Sequence, residues 1–125
     1  MTELTEHFTF NELTRTDEQA LQEINREQAP KDKLLKLAEF AEGVRKILDC
    51  PMIITSGFRC EELNKKVGGS PFSQHRFAEA IDFIPKMDCE KAFGRLILSN
   101  IAHKTKLNII SGIIGDLITL PKYTL

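Results

Sequence analysis

From Lys31 to Leu48, apolar residues fall at Leu34, Leu37, Ala38, Ala41, Val44 and Leu48, the spacing of one face of an α-helix. A helix of that length with one apolar face must be covered by other parts of the chain, so this segment predicts the central core helix of a folded domain. Leu35, Phe40 and Ile47 are read as widening the same face. Its limits are also written locally. Gln28-Ala29-Pro30 breaks any helix before it, and Pro51 restarts the chain after it.

Other elements can be placed around that helix. Phe8 and Phe10 alternate with polar residues and predict a short extended segment with two rings on the core. Thr16 followed three residues later by Gln19 reads as a capping box for a helix over Asp17–Arg26. Met52-Ile53-Ile54-Thr55 predicts a buried strand, turned by Ser56-Gly57. A short helix is expected over Glu61–Val67, stopped by Gly68-Gly69 and followed by the loop Ser70-Pro71. A second strand fits Ala80–Ile84, ending at Pro85, and Asp88 caps a helix over Cys89–Leu98. The late residues predict two strands, Asn108–Ile110 and Leu117–Leu120, with Gly115-Asp116 as the turn between them. Repeats, low-complexity tracts and linkers are absent from the sequence. Helices followed by a small, largely antiparallel sheet define an α+β fold, expected as one domain over residues 1–125.

Composition narrows the function classes. Apolar residues make up 42% and charged residues 28% of 125 positions, ordinary values for a chain that buries a core. A formal net charge of −1 gives no reason to expect nucleic acid or an anionic membrane as a partner. Cys50, Cys60 and Cys89 are odd in number and form no CxxC pair, which suggests buried thiols and neither a disulfide framework nor a cysteine zinc site. The opening MTELTEHFTFNEL has neither the basic nor the apolar region of a secretory leader. No apolar stretch approaches the roughly 18 residues of a membrane span, so a cytoplasmic location is expected.

The residues able to do chemistry concentrate between Ser56 and Asp82. His75 and Asp82 are a nitrogen and an oxygen donor that can meet at one metal if the chain between them turns back. Small residues at Ala78 and Ala80 allow that close packing. On spacing alone, a structural histidine paired with Asp82 is the favoured reading. Arg59, just after the first strand, can clamp a carboxylate or stabilise an oxyanion, or simply lie on the surface. Asn64 and Gln74 can orient a peptide backbone, and Asn64 is equally a helix-terminal polar residue. Gly68-Gly69 has no Lys-Ser/Thr sequel and is not a phosphate loop.

The segment TSGFR…ELNKKVGGSPFSQHRFAEAIDF resembles the signature of zinc D-Ala-D-Ala peptidases, in the branch that holds phage endolysins and prophage cell-wall peptidases. Its last element reads Ser73, His75, Ala78, Ala80, Asp82, with Ala78 where that family usually carries glycine. The resemblance extends upstream through FTFNELTR and the Lys31–Leu48 helix. It implies a small antiparallel sheet flanked by helices, as in the D-Ala-D-Ala peptidase and Hedgehog signalling domains. It also implies that His75 and Asp82 are the first two zinc ligands and that Arg59 stabilises the intermediate or binds a carboxylate. Ser73 and Gln74 then belong to the binding segment, and a peptidoglycan stem peptide is the implied partner. Lack of a leader fits phage-type enzymes released to the wall by a separate membrane-permeabilising protein.

One part of the family pattern is missing. The late strand pair, of the form FDQLIYEFGDWIHL, supplies a general base and a third zinc ligand. Without gaps it falls on Leu107–Leu120, which puts Ile113 at the base position and Thr119 at the ligand position. A threonine hydroxyl is a poor zinc ligand beside imidazole, and isoleucine takes no proton. Loss of a general base alone costs ~10²–10⁴ in rate. His103 precedes the late strands, His7 lies near the start, and Asp116 is expected to face solvent, so none substitutes readily. The sequence therefore predicts a peptidase-like domain with zinc held weakly or not at all. Its rivals are an active zinc metallopeptidase cutting stem peptides and a prophage-derived structural or interaction domain.

Overall fold

The computed structural model describes residues 3–99, 108–110 and 113–118. Helices α1 (Phe10–Thr14) and α2 (Gln22–Gln28) lead into the long α3 (Lys31–Leu48). Strand β1 (Met52–Ser56), the short α4 (Glu61–Lys66), β2 (Ala80–Pro85), α5 (Cys89–Leu98), β3 (Asn108–Ile110) and β4 (Ile113–Ile118) follow. Among the described residues the strands form one antiparallel sheet in the order β1-β2-β4-β3. The fold is α+β, as the sequence predicts.

α3 begins and ends where the sequence places it, and its buried residues are Leu34, Leu37, Ala38, Ala41, Val44 and Leu48. Asp49 stops it in the left-handed conformation, at φ 54°, while the Arg95 guanidinium of α5 donates to the Leu48 carbonyl at 2.6 Å. Leu35 does not widen the apolar face; it is 40% exposed. Against α3 lies one face of the sheet, where Ile54, Phe83 and Ile114 stand side by side across β1, β2 and β4, all buried. Burying each such side chain contributes roughly 1.5–3 kcal/mol. α5 completes this layer through Ala92 and Leu96, its start capped by Asp88, whose carboxylate accepts from Glu90 N and Lys91 N.

Four local expectations are corrected. Phe10 does not continue an extended segment but opens α1, capped by a reciprocal Thr9–Glu12 pair. The capping box expected at Thr16 and Gln19 does not form. Thr16 Oγ1 accepts from Glu18 N, and it is the side-chain Oε1 of Gln22 that accepts from Thr16 N. A 3₁₀ turn over Gln19–Leu21 precedes α2 as a result. Gly115-Asp116 is not the hairpin turn either: both residues lie inside β4, and β3 and β4 are separated by positions 111–112. β1 is buried on one face only, with Ile53 47% exposed, since an edge strand of a two-faced antiparallel sheet alternates.

Candidate functional site

β2 has two faces, and the alternation that sends Ile81 and Phe83 into the core sends Asp82 to the other side. Both neighbouring strands carry an extra residue at this point. β1 slips between Ile54 and Ser56, leaving Ser56 opposite Asp82, and β4 slips between its partners for Ile81 and Phe83. Such bulges re-aim side chains and are common beside functional sites. Gly115 lies in the β4 slip, and a Cβ added there would run into Asp82 Oδ1. The carboxylate thus rests on bare backbone, which only glycine allows.

His75 comes from a 3₁₀ turn, Gln74–Phe77, begun by Ser73, whose hydroxyl accepts from His75 N at 3.3 Å. The turn closes at Ala78, which sits in the left-handed region at φ 58°. There a glycine would be unstrained and alanine is not. The His75 ring is 2% exposed, and Nδ1 lies 2.8 Å from the Gly57 carbonyl. A carbonyl only accepts, so Nδ1 carries the proton and Nε2 faces Asp82 Oδ2 at 3.4 Å. The gap exceeds an ordinary charge-assisted hydrogen bond. It equals the spacing of two donor atoms bound at about 2.0–2.1 Å to one tetrahedral zinc, which is roughly 3.4 Å. An outer hydrogen bond fixing the other ring nitrogen is also what a ligating histidine needs.

Arg59 completes the cluster. Its backbone N–H donates to the His75 carbonyl at 2.9 Å, tying the exit of β1 to the histidine turn. The side chain is 19% exposed; Nε donates to Ser56 Oγ and Nη1 to Asn64 Oδ1, each at 3.3 Å, while Nη2 stands 4.0 Å from Asp82 Oδ2. Asn64 in turn donates to the Ser70 carbonyl at 2.8 Å and so braces the loop before the histidine turn. The structure therefore brings Arg59, Ser73, His75 and Asp82 together around β2 and the histidine turn, with Gln74 in the same turn.

Two contributors are not read from the sequence. Ser56 seats Arg59 opposite Asp82. Asn25, fully buried in α2, donates to the Thr14 and Phe58 carbonyls at 2.8 and 3.0 Å and accepts from Cys60 N at 2.7 Å, clamping both sides of Arg59 to the helical layer. A polar residue one helical turn after Leu21, on the apolar side of α2, was the available signal.

His75 and Asp82 fit two ligands, and among the described residues no group of three histidine, cysteine, aspartate or glutamate side chains can hold a metal ion. Ile113 is half-buried on β4; since its neighbour Ile114 is buried on the core side, Ile113 lies on the face shared with Gly115 and Asp82. Thr119 and His103 lie outside the described residues, as does the side chain of Asp116.

Charged groups elsewhere are tuned by structure. Burial alone would raise the Glu42 carboxyl, but hydrogen bonds from the His7 ring and backbone, both 2.7 Å, together with the His7 charge, hold it below the usual carboxylate value. Burial pushes the Cys89 thiol up, aided by the negative charges of Asp88 and Glu90, so this cysteine is a weak nucleophile. All three cysteines are free thiols. No helix among the described residues is long and apolar enough to cross a membrane.

A protein-family model described as Peptidase M15 matches residues 6–108, and the chain belongs to that family. Curated proteins and solved structures gave no match. The matched stretch contains Arg59, His75 and Asp82 and ends before Ile113 and Thr119.

Proposed function

We propose that this chain is a peptidase-family domain whose hydrolytic centre is impaired and whose surviving cluster binds the carboxylate of a cell-wall stem peptide. The observation that carries the reading is Ile113: an aliphatic side chain lies on the same sheet face as Asp82, at the position to which the family resemblance assigns a proton acceptor. Arg59, held in a fixed position by Ser56 and Asn64, supplies the anion-recognising group. Zinc, when present, would polarise a peptide carbonyl or activate water; His75 and Asp82 would hold it, weakly where no third donor joins them, as among the described residues none does. The scaffold reading is that of D-Ala-D-Ala peptidase domains. A protein made in the cytoplasm and reaching the wall through a separate membrane-opening protein fits this role.

The test is calorimetric. Titration of D-Ala-terminated muropeptides should give binding that Arg59→Ala abolishes, and digestion of the same muropeptides should yield no product at any zinc concentration. An absence of heat with every muropeptide would sink the binding claim. An active zinc peptidase is the second reading, favoured by the 3.4 Å Nε2–Oδ2 spacing. Product formation lost in His75→Ala would establish it.

A further inference from the structure

The His75 ring has an acceptor on each side: the Gly57 carbonyl lies 2.8 Å from Nδ1 and Asp82 Oδ2 lies 3.4 Å from Nε2. A neutral imidazole carries one N–H, so only one of the two can receive it. What holds the Gly57 carbonyl therefore decides which nitrogen keeps a lone pair. That carbonyl and the Phe58 N–H belong to one peptide group, and the Phe58 N–H donates to the Leu13 carbonyl at 2.8 Å. Leu13 is in the last turn of α1, where carbonyls have no partner inside the helix. A line of hydrogen bonds thus runs from the end of α1 through a single peptide plane to the histidine ring, each bond polarising the next.

Two features lock that plane. Gly57 has no space on its α1 side: an added Cβ would run into the Leu13 carbonyl oxygen, so any side chain there forces the plane and α1 apart. Asn25 grips the neighbouring residues from α2. Its amide donates to the Thr14 and Phe58 carbonyls at 2.8 and 3.0 Å, and its oxygen accepts from Cys60 N at 2.7 Å. The side chain is fully buried, which makes these bonds costly to lose. The same stretch holds the His75 backbone, since Arg59 N donates to the His75 carbonyl at 2.9 Å. Ring and backbone of the histidine are both registered against residues 57–59, and those residues against the helical layer.

We propose that Gly57 and Asn25 are positioning residues for His75: by fixing the Gly57–Phe58 peptide against α1, they keep the ring proton on Nδ1 and the Nε2 lone pair toward Asp82. Both act through the histidine. With the peptide released, the Asp82 carboxylate becomes the better acceptor and draws the proton to Nε2, which removes the lone pair that a metal or a donor group would use. The inference rests on the reading above only in taking His75 as a site residue. Ring tautomer and muropeptide binding are read by different experiments, so either can fail alone.

Nitrogen-15 NMR of the imidazoles, on the full chain in mildly alkaline buffer without added metal, separates a protonated ring nitrogen from an unprotonated one. The His75 signals are identified by their loss in His75→Ala. The parent should show Nδ1 protonated and Nε2 unprotonated. Gly57→Ala should move the proton wholly or partly to Nε2, and so should Asn25→Ala, which leaves Gly57 itself unchanged. Leu96→Ala, which opens a cavity under α5, controls for general loosening and should keep the parent pattern. Dispersed amide spectra show that each variant is folded; should Gly57→Ala not fold, Asn25→Ala carries the comparison. A parent ring protonated on Nε2 would overturn the proposal outright. So would the parent pattern persisting in a folded Asn25→Ala, or a shift of the same size in Leu96→Ala, since either leaves the two residues with a structural role only.

Discussion

Ala78 is a residue whose cost can be read from its backbone alone. At φ 58° and ψ 40° it occupies the left-handed region, where the Cβ of an L-residue crowds the following carbonyl by about 1–2 kcal/mol. Its methyl is buried, so replacing it with glycine removes a little packing as well as the strain. Strain is the larger effect here, partly offset by the greater freedom of glycine in the unfolded chain. Ala78→Gly should stabilise the protein by about 0.5–1 kcal/mol, a direction opposite to most alanine-to-glycine changes. A urea melt with a raised midpoint and an unchanged slope is the expected result. Because Ala78 ends the turn that presents His75, the same variant relaxes the site toward the form that glycine allows.

At the scale of elements, the long helix and α5 were legible because their determinants are local. α3 carries an unbroken period between two prolines, and Asp88 supplies the cap that α5 uses. The early segments were less legible because two copies of one motif compete. Thr9-x-x-Glu12 and Thr16-x-x-Gln19 both read as capping boxes, and only the first closes. Sequence does not reveal that Thr14 and Gln22 hold the second segment in another path, since those contacts depend on how α2 packs. Thr9→Ala should therefore cost about 1 kcal/mol of stability, whereas Gln19→Ala, at an exposed position, should stay within about 0.5 kcal/mol. Thermal melts of both variants make the comparison. The hairpin was misread for a similar reason. Gly115 looks like a turn glycine, yet its task is to pass beneath the Asp82 carboxylate, a contact between strands far apart in sequence. The site itself was readable as residue types, His75, Asp82 and Arg59, while its supports, Ser56 and Asn25, emerge only from packing.

On the scale of the whole molecule, two features set its expected behaviour. The first is the tie between the chain's opening segment and α3, made by His7 and Glu42. Folding lowers the Glu42 carboxyl from its ordinary value, so its stabilising contribution is complete above that value and is lost as pH falls through the lowered one. Glu42→Gln should thus be less stable than the parent at neutral pH, and the difference should shrink as acid is added below the ordinary carboxylate range. Urea melts across that window measure it. The second feature is the donor set, since among the described residues His75 and Asp82 are joined by no third metal-binding side chain. If two substitutions alone separate this scaffold from a competent centre, restoring them together should restore the chemistry, since Asp82, His75 and their supports are already in position. Ile113→Glu with Thr119→His should then bind one zinc per chain, where the parent binds it weakly or not at all, and should release product from muropeptides. Each single variant should fall short: the histidine alone gains metal without turnover, and the glutamate alone gains neither. Elemental analysis and product assays on the four proteins read these outcomes separately. A double variant that folds and still excludes zinc would mean that the cluster around Asp82 has been reshaped beyond the two side chains, most directly through the β4 slip at Gly115.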